Sequence, residues 1–564
     1  MTTQCPFSVL LKLVEQNYEK LTTAREIFEV ISNRMAVLDN PQELIAFLGQ
    51  HLKPKELEKK QNGEVFTPPE LIQQKFDQLT LADPEIWSDP SKKFLDPANG
   101  IGNYPALAYH RLMKGLAEVI PNEADRKRHI LENMLYMCEL TKKNVEVSRR
   151  LFDPKGMYAL QLFQGSYLDL DPMKEWGVEK FDVIFGNPPY NNSHDKKDGQ
   201  GGSGSRSRLY PAFVTRSLTF LKDTGYLIFL HPAMWRKPGD ILHESIFRYQ
   251  LHYIRCFTKP EGSKLLHATT RVDWYILQKV PPHKPTTIYF DDHTVGDYLL
   301  NNETPLLCGH GHGIWEKMYR VITSGRAGPL PVIKQAIANS KCSKMTSKTN
   351  VYPLVHSTST GGVSKISWFS KAHPNQYVPK VVFAEIEMVY PVFDALGKFG
   401  TTDNVQSILV SSEAEGHYIC RYMSSKLFQY LIGSTKWSNF RTDHTMFPYL
   451  PYPKDLPENF TDAYLYAYFE LTPEEVERIE ADQPKRGLAE FVTREAPEVS
   501  VPLALTPALT PAVEPVAQPA DVAIMAYLDY KKMKVDDLRT LCKGRNIKGY
   551  SGKNKENLIA MLTE

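Results

Sequence analysis

The stretch FDVIFGNPPYNN, residues 181–192, starts as a strand and ends as something no strand needs. Its first half alternates like a segment heading into a core. At Asn187-Pro188-Pro189-Tyr190 two prolines stiffen the chain and remove two backbone donors, leaving a carboxamide and an aromatic ring at the strand's end. Sheet stability does not ask for such an ending, so a rigid functional rim is expected there.

Outward from that rim, the texture from about residue 62 to 290 alternates short apolar strands with helical segments. Candidate strands are Phe94–Asp96, Leu135–Glu139, Phe181–Gly186 and Tyr226–His231. Strand–helix alternation predicts an α/β fold with a mixed, mostly parallel, Rossmann-like sheet. A helical segment over 1–60 precedes this 61–290 domain. Residues 291–495 are less periodic and rich in Gly, Ser, Thr and aromatics. They close on a helix opened by Thr472-Pro473-Glu474-Glu475, a capping box with proline at the first helical position. A proline-rich tether over 496–522 carries a proline every four or five positions. The last segment, 523–564, reads as two short helices.

Bulk properties narrow the classes. The chain has 564 residues, enough for several domains, and a net charge of +2, so any nucleic-acid surface must be a local patch. Seven scattered cysteines suit free thiols in a reducing compartment. The start does not read as a secretory signal, and no apolar run approaches a membrane span, so a soluble, intracellular (cytoplasmic) protein without membrane partners is expected.

Four pieces fall in order across the α/β region. FLDPANGIGNY, 94–104, is a strand followed by a glycine turn and a helix, the usual way to present backbone amides to a ligand. LYMCEL, 135–140, puts Glu139 at the end of the next strand, where it is either a ribose ligand or a solvated strand end. FQGSYLDLD, 163–171, offers Ser166 or Asp169 to an adenine ring. The fourth is the opening motif itself.

In this order the pieces resemble the S-adenosylmethionine-dependent DNA adenine-N6 methyltransferases of restriction-modification systems, in their gamma motif arrangement. The resemblance runs from Gly63 to about Pro453 and includes GEVFTPPELI before the first loop and RLYPAFVTRSL and LKDTGYLIFLHP after the tetrapeptide. It implies site-specific methyl transfer from S-adenosylmethionine to N6 of a flipped-out adenine in double-stranded DNA. It further implies that Phe66, Thr67 and Pro68 border the methionine end of the cofactor, that Asp96, Ala98, Gly100 and Gly102 line it, and that Glu139 holds the ribose. The family often has Asp directly after the glycine of the third motif. Here Ser166 stands there, so the adenine contact falls to Ser166 or Asp169.

The chemistry explains the tetrapeptide. Adenine N6 is a poor nucleophile because its lone pair is delocalised into the ring. The side-chain oxygen of Asn187 and the carbonyl of Pro188 would accept both amine hydrogens and free that lone pair. Pro189 would fix where they point, and Tyr190 would stack on the base. Rival readings are a methyltransferase acting on an RNA base or a protein glutamine, both planar nitrogens, and a catalytically inactive DNA-binding scaffold. The upstream Thr-Pro motif and the long block after the core favour DNA.

Candidate DNA contacts follow. The run after the motif, with Lys196, Lys197, Arg206 and Arg208, is either a disordered loop or one that closes over phosphates. Block 291–495 is the natural target-recognition region, with Lys436 and Arg441 in STKWSNFRTDHTMFPYLPYP. The C-terminal segment, with nine Lys or Arg against five Asp or Glu, resembles the SAP motif, a small DNA-binding module, and offers Lys553. A solvated hairpin for protein contacts is its alternative. Cys308-Gly309-His310-Gly311-His312 lacks a fourth ligand and reads as a loop, so no metal is expected. A separate cognate restriction endonuclease is a conceivable partner, since 60 residues are too few for a fused nuclease domain.

Overall fold

The computed structural model describes residues 67–191, 208–266, 270–385, 389–437 and 444–482, together with Val535, Leu538, Lys555 and Leu558. The segment 1–60, the tether 496–522 and most of 523–564 therefore lie outside the described residues. Two units are resolved, Met1–Val499 and Ser500–Glu564. In the second, the four described positions are helical, and Leu538 and Leu558 are buried.

In the first unit the nine strands β1 (Phe94–Asp96), β2 (Leu135–Glu139), β3 (Gln161–Gln164), β4 (Phe181–Gly186), β5 (Leu221–Pro232), β6 (Gln250–Cys256), β7 (Val272–Gln278), β8 (Thr286–Tyr289) and β9 (Val295–Tyr298) form one sheet. Their order is β3-β2-β1-β4-β5-β7-β6-β8-β9. The five strands from β3 to β5 are parallel, with Phe94 beside both Leu135 and Val183. β7 then runs antiparallel to both β5 and β6. β9 carries the sheet past residue 290.

Apolar residues fill both faces because helices cover both, which is why these strands read as near-continuous hydrophobic runs. Phe94, Leu135, Met137, Val183 and Phe185 pack on one side against α1 (Pro69–Ala82), α2 (Asn103–Gly115) and α3 (Lys142–Phe152). Leu95, Tyr136, Cys138 and Ile184 pack on the other, against α4 (Tyr210–Phe220). The polar member of β4, Asp182, is buried yet satisfied. It accepts the Lys93 amide at 2.9 Å and the Lys222 ammonium at 2.9 and 3.0 Å.

Residues beyond 305 build a second core. Helices α5 (Gly311–Thr323), α6 (Glu413–Ser424) and α7 (Lys426–Gly433) share an apolar cluster with Val381, Phe383 and Ile408. The last two helix-forming segments include α8 (Pro473–Ala481), whose Thr472–Glu475 capping box is formed on both sides. Beside them lie two three-stranded sheets. One is β12 (Gly362–Phe369), β11 (Tyr352–Ser359) and β15 (Gly400–Thr401). The other is β14 (Val392–Asp394), β13 (Lys380–Ala384) and β16 (Val405–Leu409). Val355, Val382, Ala384, Phe399 and Val405 form the core shared by these sheets. The short pair β10 (Gly328–Pro329) and β17 (Pro451–Tyr452) closes the region.

A buried ion pair joins the two cores. The Arg236 guanidinium lies 3.1 Å from the Asp273 carboxylate, both fully buried, and donates to the sulfurs of Cys256 and Cys308. Its own carbonyl accepts the Leu306 amide at 3.0 Å. Removing one partner of such a pair strands a buried charge, so the contact specifies how the second core seats on the sheet.

Candidate active site

The chain places β2 and β3 on one side of β1, then returns to put β4 and β5 on the other. The chain leaves β1 for α2 on one face of the sheet and β4 for α4 on the other, so the C-terminal ends of these strands are where such a topology offers a crevice. In open α/β sheets ligands bind at such a reversal. Both marked sequences end there: Asp96 closes β1, and Gly186 closes β4 directly before Asn187.

The two ends nearly touch. A Cβ at Gly186 would come within 3.1 Å of Asp96 Oδ1, so this position has little room for a side chain. Asp96 is 1% exposed, and the Ala98 amide, at 3.0 Å, is its one hydrogen-bond donor among the described residues. Burial raises its pKa to about 8; the neighbouring Glu139 charge adds to the rise and Lys75 opposes it.

The turn after Asp96 is built by hydrogen bonds. The Asn99 amide donates to the Cys138 carbonyl and the Gly102 amide to the Asn99 carbonyl, each at 3.0 Å. Gly102, at φ 97°, precedes α2; a Cβ there would lie 2.9 Å from the Phe152 ring. Glycine suits both the left-handed backbone and the close approach. Glu139 clamps the turn, accepting the Gly100 amide at 2.8 Å through Oε2. Its Oε1 accepts the amide and hydroxyl of Thr141, both at 2.8 Å, at the start of α3. A ribose at Glu139 would therefore share the carboxylate with these donors rather than find it open.

The Thr-Pro motif reaches the same turn. Thr67 is buried, and its carbonyl accepts the Asn103 carboxamide at 3.2 Å. Pro68 follows, and its carbonyl takes the first amides of α1, from Leu71 and Ile72. On the far side the Gly165 amide donates to the Glu139 carbonyl at 2.9 Å, bringing Ser166 to the crevice edge as a half-buried residue, while Asp169 is exposed.

At the rim Asn187, Pro189 and Tyr190 are half-buried and Pro188 is buried. Tyr190, expected to stack on the base, is turned inward here. Its ring packs on the core, and its hydroxyl is buried without a hydrogen-bond partner among the described residues. Burial pushes its pKa up, with Tyr104 adding to the rise. An unpaired buried hydroxyl costs about 1–3 kcal/mol, which offsets part of the free-energy cost of turning the ring outward.

The loop that follows is anchored at its base. Asn191 bridges Arg208 in antiparallel fashion, and the Leu209 amide donates to the Tyr190 carbonyl at 3.0 Å. Arg208 pairs with the buried carboxylate of Asp240 at 2.6 Å. That pairing engages the guanidinium in holding the loop base, while 40% of the Arg208 side chain stays exposed. Phe66, Lys196, Lys197, Arg206, Arg441 and Lys553 lie outside the described residues. Lys436 is half-buried, and its neighbour Trp437 is a core residue that donates to the Leu306 carbonyl at 2.7 Å.

Lys75 is the site residue that sequence reasoning passes over. It is 0% exposed, donates to the Tyr104 hydroxyl, and lies over the Tyr104 and Trp274 rings at 5.0 and 5.8 Å. Burial holds its ammonium well below the ordinary range, with Asp96 pulling the other way. The available signal was its position on the apolar stripe Leu71, Ile72, Phe76 and Leu79.

Among the described residues no group of three or more His, Cys, Asp or Glu is placed to hold a metal, and no helix is long and apolar enough to cross a membrane. His312 is buried instead against Trp315, where desolvation lowers its pKa to about 3.

Comparison with known proteins meets this geometry over the segment that carries the rim. Residues 118–255 match the Eco57I restriction-modification methylase family. The matched segment runs from before β2 into β6 and contains Glu139, the tetrapeptide and the loop base. An uncharacterized adenine-specific methylase from Mycoplasma pneumoniae is 28% identical, over 33% of this chain and 58% of the relative. The chain thus spans a little over half of that relative's length. Among solved structures, a nuclease-deletion mutant of the Type ISP restriction-modification enzyme LlaGI with a DNA substrate mimic aligns at TM-score 0.47 and 12% identity, over 78% of this chain and 50% of that one. The Type IIL restriction-modification enzyme MmeI in complex with DNA aligns at TM-score 0.43 and 10% identity, over 76% and 72%.

Proposed function

We propose that the protein is a site-specific DNA methyltransferase that transfers a methyl group from S-adenosylmethionine to N6 of adenine. The observation that carries this reading is the meeting of Asp96 and Gly186-Asn187 at the sheet's reversal point, with Gly186-Asn187 inside the segment that matches the Eco57I methylase family. The residues present fit the cofactor. A buried carboxylate with one donor on it suits a cationic ligand, and the second carboxylate, Glu139, stands across the turn. Thr67, Pro68, Ala98, Gly100, Gly102 and Ser166 would line the cofactor site.

When bound, the cofactor supplies an electrophilic sulfonium methyl. The rest falls to the chain. Asn187 and the Pro188 carbonyl would accept the two N6 hydrogens and reduce the delocalisation of the lone pair into the ring, and the methylated nitrogen then sheds one hydrogen as a proton to water. The diproline keeps both acceptors aimed without reorganisation, which is where preorganised electrostatics accelerates transfer. Tyr190, once its ring swings out of the core, supplies a stacking face for the extruded base.

The test is direct. Purified protein is incubated with cofactor and unmethylated genomic DNA, and modified bases are mapped. N6-methyladenine confined to one short motif supports the reading; methylation of RNA or protein alone sinks it.

A further inference from the structure

From Lys317 to Ala384 the chain contains no Asp or Glu, against eight lysines and two arginines. At the chain's average acidic content, a window of this length would hold about eight acids. A solvated surface normally intersperses both signs, so this stretch departs from the rest of a nearly neutral protein.

Half of these cations are engaged. Lys317 pairs with Glu475, Lys334 with Glu385 and the buried Lys380 with Asp394, every acid coming from outside the window. Arg326 lies over the Tyr468 ring, and Arg320 faces Glu316. The other five, Lys341, Lys344, Lys348, Lys365 and Lys371, are exposed and make no ion pair with the described residues.

The fold brings the segment of Lys341, Lys344 and Lys348 beside the strand of Lys365, with Lys371 two residues past that strand's end. The segment from Ile333 crosses both small sheets, bridging Ser407 at Ile333, Thr402 at Ile337 and Trp368 at Ser343. Ser343 and Trp368 exchange both backbone hydrogen bonds at 2.8 Å, adding the segment to the edge of β12, the strand that carries Lys365. Lys344 and Lys348 ride a turn held by its own hydroxyls: Ser347 Oγ accepts the amides of Thr349 and Asn350. Beyond the Lys334–Glu385 pair, Asp403 takes the Asn339 amide at 3.2 Å. Exposed ammonium groups that outnumber the neighbouring Asp403 carboxylate complement a polyanion and repel one another without one.

We propose that the face built by residues 341–371 is a phosphate-binding surface for duplex DNA. It rests on the DNA reading above and assigns affinity to a face other than the loop 192–208 and the 434–453 stretch. Lysines act there as point charges on the backbone, so the surface strengthens binding to any duplex sequence and leaves base choice to other groups.

The experiment uses the full chain without cofactor and a fluorescent duplex of scrambled sequence, with anisotropy followed over a salt titration. Each engaged phosphate contributes about 0.9 to the slope of log affinity against log salt. The variant Lys344→Gln/Lys348→Gln/Lys365→Gln is expected to reduce the slope by about two to three and to weaken binding about 10- to 100-fold at low salt, with S-adenosylmethionine binding and melting temperature unchanged. A control variant, Lys155→Gln/Lys174→Gln/Lys259→Gln, is expected to keep the wild-type slope. An unchanged slope in the first variant, or an equal drop in the control, overturns the proposal. Tighter, lysine-dependent binding of single-stranded RNA overturns the assignment to duplex DNA. If the protein binds duplexes through these lysines yet methylates no DNA, the surface stands and the methyltransferase reading falls; a methylating enzyme indifferent to the lysines gives the reverse.

Discussion

The crevice at the sheet's reversal point and the face over residues 341–371 handle charge in opposite ways. At the crevice Asp96 and Glu139 are buried, few, and held within a turn by named donors. On the face, five lysines stand in water and acids are absent from the chain around them. A small cationic ligand is held by concentrated charge in a poorly solvated place, where each Coulombic contact is strong. A long polyanion is held by many weak, screened contacts that add. One region spends its charge on geometry, the other on reach.

The sharpest way to test the crevice is Asn187→Ala. Methyl transfer is expected to fall at least about 10³-fold, since two preorganised acceptors become one. Cofactor affinity measured by calorimetry should stay within a few-fold of wild type; its loss would place Asn187 in the cofactor site instead. Next in size is Asp394→Ala, which strands Lys380, fully buried 3.3 Å away, inside the acid-poor region. A loss of about 3–5 kcal/mol in chemical denaturation is expected. A loss under about 1 kcal/mol would mean that this region does not depend on its borrowed acids.

Gly186→Val should cost cofactor affinity about tenfold or more, because the added atoms enter the gap beside Asp96. The same carboxylate makes a pH prediction. Its pKa of about 8 lies above the ordinary 3.8, so between these values the folded chain keeps a proton that the unfolded chain releases. Stability from this group is therefore full below about pH 4 and is lost as pH rises through 8. Asp96→Asn should raise the melting temperature relative to wild type more at pH 8 than at pH 5. A cationic ligand favours the ionised carboxylate, so S-adenosylmethionine should bind wild type more tightly as pH rises from 6 to 8, and the variant should lose that trend. The smallest effect expected is Lys334→Ala, about 1 kcal/mol, because Gln406 still donates to Glu385.

Legibility followed solvation. Strands β1, β2 and β4 are readable to the residue because both faces are buried and every position is constrained. β3, QLFQ, is half-exposed at the sheet edge, and its mixed composition carries no period. The turns at Asp96 and Asn187 announce themselves through glycine and proline, which the backbone needs at those places whatever surrounds them. Lys75 does not, since a lysine on a helix ordinarily reads as solvent-facing and only packing against Tyr104 and Trp274 reveals it as buried.

By itself, then, the sequence determined the local rules: where strands end, which turns are rigid, and that 68 consecutive residues carry no acid. Tertiary structure alone decided the partnerships. It sent Arg208 to Asp240, turned Tyr190 into the core, engaged Glu139 with its own loop, and paired Ser343 with Trp368, which brings the lysine-rich 341–348 segment beside the strand of Lys365. Backbone preference is a property of a few neighbouring residues, whereas a charge's partner depends on which distant segment the core brings within about 4 Å.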